Sequence, residues 1–158
     1  MAEELKDISL STKKSYRIDG DNNRIIYLDT SDMNILVRME EAYPEIQRLA
    51  VEAADRIVAS KSSKSEDGEE SSLNNITEVL KDIDKKMRAK LDYIFASEIA
   101  DVCEPTGNMY DPVGGEFRFE RIIEVLSTLY ANNITAEFKK MQERIKKHTA
   151  KYTNKRKR

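Results

Sequence analysis

The segment EFRFERIIEVLSTLYANNITAEFKKMQERIKKHTA, residues 116–150, decides the fold. Within it Phe119, Ile123, Leu126, Tyr130, Ile134, Phe138, Met141 and Ile145 recur at steps of three and four, which lines them up as one apolar stripe on an α-helix. A helix over 116–150 is about 50 Å long at 1.5 Å per residue. Its far end is basic: residues 139–158 carry ten Lys and Arg against one acid, Glu143. Residues 1–138 hold 17 basic and 28 acidic side chains, so an acidic body carries a basic end.

Moving toward the N-terminus, residues 97–115 read as a short turn and then a loop with Pro105, Pro112 and three glycines. Before them Ile76, Val79, Leu80, Ile83, Met87, Leu91, Ile94 and Phe95 predict a helix over 73–96, opened by Asn75 and Glu78 at capping-box spacing. That helix is about 36 Å long, so the last third of the 116–150 helix is expected to project beyond its neighbours. Residues 60–72 contain six serines and no apolar side chain, as a flexible linker does. Leu36, Met39, Tyr43, Ile46, Ala50, Ala53 and Ile57 form the seam of a helix over 31–59, behind capping oxygens from Asp29, Thr30, Ser31 and Asp32. Pro44 is expected to kink or restart it. A β-hairpin over 15–28 is read from Tyr16 and Ile18, the turn-rich Asp19-Gly20-Asp21-Asn22-Asn23, and Arg24 to Leu28. The first dozen residues are weakly patterned, as an irregular segment or a short edge strand would be.

The fold class that follows is mainly α: a single three-helix domain with a small N-terminal β-hairpin, a long basic C-terminal helix and a basic tail over 151–158. Composition agrees. The 158 residues are 35% charged, 39% hydrophobic and 7% aromatic, with five Gly and three Pro, which suits helices with solvated outer faces better than a compact β or α/β enzyme. No run approaches the roughly 18 apolar residues of a membrane span, and the acidic start Met1-Ala2-Glu3-Glu4 is unlike a signal peptide, so a soluble intracellular protein is expected.

Residues for chemistry are few. One His, His148, excludes multi-His zinc sites, and Cys103 is the sole Cys, so neither a thiolate cluster nor an internal disulfide forms. Nothing in the sequence brings His148 to Cys103; a small buried Cys and a solvated His account for both. Gly114-Gly115 precedes Glu116 rather than Lys-Ser/Thr, which excludes a phosphate loop there. No catalytic residue, cofactor or metal is expected. Solvated faces account for the acidic pairs Glu40-Glu41 and Glu69-Glu70. Tyr110 and Asp111 fit either a ligand-contacting loop tip or ordinary loop composition. Met33, Met39, Met87 and Met141 fit either plain core or an adaptable binding surface.

The candidate partner-binding residues are Phe138, Met141 and Ile145 on the projecting stripe, with Lys146, Lys147 and Tyr152 beyond it. The basic end has three readings: a solvated terminus, a nucleic-acid contact through counterion release, or a dock for an acidic protein such as another copy of this chain. Sequence-specific DNA reading is disfavoured, because Tyr152 is the one aromatic among the basic residues and no helix-turn-helix spacing is present.

The order of these features resembles a known family. SYRIDGDNNRIIYL runs into DTSDMNILVRMEEAYPEIQRL; after a polar linker comes MRAKLDYIFASEIADVC, and after a Gly/Pro loop EFRFERIIEVL leads into the long helix. This is similar to the small tail assembly chaperone-like proteins of tailed bacteriophages and prophages of Gram-positive bacteria, over roughly residues 15–150. The resemblance rests on order and spacing and carries no active-site residues. It implies a non-enzymatic role in the host cytoplasm: binding the long helical tape-measure protein before the tail tube polymerises, and recruiting tube subunits. Two alternatives stand beside it, a nucleic-acid-associated factor and a small phage protein that inhibits or triggers a bacterial defence system.

Overall fold

The computed structural model describes residues 3–62 and 69–156, with side chains over 3–61 and 75–150. Strands β1 (Lys14–Arg17) and β2 (Ile25–Leu28) pair antiparallel, with Tyr16 opposite Ile26. Asp19 and Gly20 both take the left-handed conformation that turns the chain between them. Ile26 and Leu28 are buried, while Ile25 and Tyr27 face outward, as the two-residue period of a strand requires. The hairpin is pinned by Arg24, whose guanidinium donates to the carbonyls of Val102 and Cys103 at 2.9 and 2.7 Å.

Helix α1 spans Ile35–Ser62, starting four residues later than its sequence suggests. Asp29 and Asp32 each accept from the backbone N–H two residues on (Ser31 and Asn34), and these local turns compete with helix. The buried face is accordingly Ile35, Ala42, Ile46, Leu49, Ala50 and Ala53; Leu36, assigned to the seam from spacing, is 63% exposed. The helix does not restart at Pro44, because packing against its neighbour outweighs one missing hydrogen bond.

Helix α2 runs from Glu69 to Phe95, so residues 60–62 and 69–72 of the expected linker are helical and Asn75 lies inside a helix rather than at its cap. The expectation of a flexible segment over 63–68 falls outside the described residues. Ile83, Met87, Leu91, Ile94 and Phe95 are buried, as read from spacing. Cross-links from Tyr93 to Glu41 and from Lys90 to Glu45 show that α1 and α2 run antiparallel. Small Ala42, Ala50 and Ala53 let the two helices approach closely.

Helix α2 ends with Ala96 at φ 49°, and Ser97 N–H donates back to the Asp92 carbonyl at 3.1 Å, closing the last turn. The Asp92 carboxylate accepts from both Ile99 and Ala100 N–H at 2.9 Å and so opens the short helix α3, Ala100–Cys103. Where sequence suggested only loop, Pro112–Val113 (β3) and Glu116–Phe117 (β4) form a second tiny hairpin, turned by Gly114 and Gly115 at φ 63° and 84°. The last helix, α4, therefore begins at Arg118 rather than 116; Phe117 N–H is capped by the Glu120 carboxylate at 2.8 Å. It continues for 39 residues to Arg156, so the expected tail is helical through that position.

Candidate docking surface

The path of α4 divides it in two. Phe119, Ile123, Leu126 and Tyr130 are core, with the Tyr43 ring edge-on to Phe119 and the Phe95 ring against Tyr130. Ile134 is half-buried, and every residue over 135–150 is exposed. The stripe keeps its helical spacing across this boundary, so Phe138, Met141 and Ile145 are presented to solvent at 48, 43 and 54% exposure. These are the sequence candidates, and the helix places all three on one face. Lys146 and Lys147 flank them and are exposed; Tyr152 lies in the helical end, its side chain outside the described residues.

At the root of this extension lies a groove of about 420 Å³. Ile134, Phe138 and Met141 form one wall; Thr12, Lys14 and Met33 form the other. Met33 is 46% exposed, so the unbranched thioethers of Met33 and Met141 border the same opening. Met87 is fully buried and Met39 half-buried, which makes those two ordinary packing residues. On the opposite wall Met33 is one of the methionines the sequence offers as core or adaptable surface, whereas Thr12 lies outside any periodic run and carries no such signal. Thr12 Oγ1 donates to the Asp29 carboxylate at 2.8 Å, and Ser31 Oγ donates to the same oxygen at 2.6 Å. The Ser31 hydroxyl above all, together with Thr12, holds the Asp29 carboxyl below its usual range.

The apolar side chains of the first dozen residues were also missed. Residues 3–13 adopt no regular secondary structure, and Leu5, Ile8 and Leu10 are 96, 81 and 85% exposed.

The reactive side chains sit elsewhere. Burial pushes the Cys103 thiol up to about 11, against the opposing pull of Arg24, so it is protonated at neutral pH. His148 lies on the exposed part of α4. Tyr110 is buried and Asp111 accepts from the N–H of Asn108 in its own loop, so these two residues are structural rather than a ligand-contacting tip. Among the described residues, no group of three or more His, Cys, Asp or Glu side chains is placed to hold a metal ion. No described helix is long and apolar enough to cross a membrane. Compared with protein-family models, curated proteins and solved structures, the chain matches none.

Proposed function

We propose that this chain is a non-catalytic assembly factor that docks a long helical client on the exposed part of α4, as a phage tail assembly chaperone holds its tape-measure protein. The observation that carries the reading is the survival of the apolar stripe beyond the domain: Phe138, Met141 and Ile145 keep core spacing where no core remains. A client with its own apolar helical stripe gains about 25 cal/mol for each Å² of apolar surface it removes from water there. Lys139, Lys140, Arg144, Lys146 and Lys147 beside the stripe select a client whose flanks are acidic. The family resemblance supplies the tape-measure protein as that client; the surface itself calls only for an amphipathic helix.

The test is co-purification with the tape-measure protein encoded in the same genome. Phe138→Asp or Met141→Asp should abolish capture, moderate salt should leave most of it, and removal of residues 146–158 should weaken it without abolishing it. Capture unaffected by either substitution would overturn the reading. The second reading, nucleic-acid binding, is favoured by the helical continuation of the basic segment through Arg156. It requires affinity that falls steeply with salt and vanishes on removing residues 146–158.

A further inference from the structure

We infer that two copies of this chain associate by exchanging N-terminal arms, the arm of each covering the Phe138/Met141/Ile145 stripe of the other. Three observations meet here. The arm carries Leu5, Ile8 and Leu10 almost wholly in solvent, and the stripe on α4 is open in the same chain, so a lone copy leaves both apolar surfaces uncovered. Their charges are complementary: the arm bears Glu3, Glu4 and Asp7 against Lys6, whereas residues 139–147 bear five Lys and Arg against Glu143. The two surfaces are also continuous, since Thr12, where the arm is fastened to Asp29, lines the groove that holds Phe138 and Met141.

Geometry allows the exchange. Nine extended residues, 3–11, reach about 30 Å, whereas Phe138 to Ile145 spans about 10 Å of helix. In an extended arm Ile8 and Leu10 point to one face, which gives a paired apolar edge for the helix stripe. Reciprocal exchange about a two-fold axis satisfies both arms and both stripes and closes the assembly at two copies. Direct pairing of one α4 extension with another would instead bring two basic helices together, which like-charge repulsion opposes. The exchanged arms occupy the surface proposed for the client, but the inference concerns this chain alone and is tested without a client, so the two readings fail separately.

The experiment is sedimentation of the full chain at micromolar concentrations, with two sets of substitutions that place carboxylates at exposed apolar positions. Wild type should sediment at twice the 18.2 kDa monomer mass. Leu5→Glu/Ile8→Glu/Leu10→Glu and, separately, Phe138→Glu/Met141→Glu should each weaken the dimer about a hundredfold or more, with unchanged helical circular dichroism. A Leu10→Cys chain mixed with a Met141→Cys chain, both in a Cys103→Ser background, should form a covalent heterodimer on oxidation. A monomeric wild type, a dimer indifferent to the arm substitutions, or failure to form the heterodimer would overturn the inference. So would a disulfide that forms only within a doubly substituted chain, which would mean that the arm folds onto its own helix.

Discussion

Asp84 and Arg88, one turn apart on α2, together hold the segment that precedes α4. Arg88 Nε donates to one Asp84 oxygen at 2.7 Å, and the other Asp84 oxygen accepts from Met109 N–H at 2.7 Å. The remaining guanidinium nitrogens donate to the carbonyls of Glu104 and Gly107 at 2.7 and 2.6 Å and to the Asp101 carboxylate at 3.0 Å. Both side chains are largely buried, so each needs the other. Arg88→Ala should cost about 3–5 kcal/mol, because it leaves the Asp84 charge and several carbonyls without their donor. Chemical denaturation should show this as a lower midpoint at nearly unchanged slope.

Gly107 lies against the side chains of Glu104, Asp111 and Arg118. A β-carbon there would stand 2.9 Å from Asp111 Oδ2 and 3.2 Å from Arg118 Nε. Gly107→Ala should therefore displace the Glu104–Arg118 ion pair and cost about 1–3 kcal/mol. Thermal melting of the variant beside wild type checks it.

Ala96 closes α2 in a left-handed conformation that its β-carbon disfavours. Ala96→Gly should stabilise the protein by up to about 1 kcal/mol, the relief of strain exceeding the added entropy of the unfolded chain. A lower melting temperature would refute this.

The alkaline limb of stability has an assigned origin. Burial raises the Cys103 thiol to about 11 and the Tyr130 phenol to about 12. Both groups then bind protons more tightly folded than unfolded, so their contribution is complete below the unfolded pKa values and is lost as pH rises through about 11 to 12. Alkylation of Cys103 in the native protein should be slow at pH 8 and accelerate toward pH 11, and the Tyr130 absorbance change should trail those of exposed tyrosines.

Deleting residues 139–158 tests the division of α4. Every side chain described over 139–150 is exposed, so at concentrations too low for copies to associate the stability of the body should change by less than about 0.5 kcal/mol while helical ellipticity falls. A collapse of the melting transition would show that the extension is part of the core.

The helices were legible because Met87, Leu91 and Phe119 through Tyr130 obey a period that burial enforces. The same period ran past Tyr130 without a break, which made Phe138, Met141 and Ile145 readable as candidates even though their exposure depends on where α1 and α2 end. Periodicity does not mark polar choices between neighbours. Asp29 and Asp32 looked like helix caps, but their bonds to Ser31 and Asn34 delay α1 and shift its seam from Leu36 to Ile35. The Arg88 network joins residues up to 19 apart in sequence through carbonyl oxygens, which carry no sequence signal. The spacing of Asp84 and Arg88 at four residues was its only trace.

Helix α4 behaves as a cantilever. Its clamp is the Phe95–Tyr130 ring pair, with centroids 5.9 Å apart, and the overhang from residue 135 to Arg156 is about 33 Å. One degree of bending at Ile134 sweeps the free end by about 0.6 Å over that length. Any load seated near Ile145 thus exerts torque on two aromatic rings inside the body. The stiffness of the exposed end is set at the clamp, far from Phe138, Met141 and Ile145.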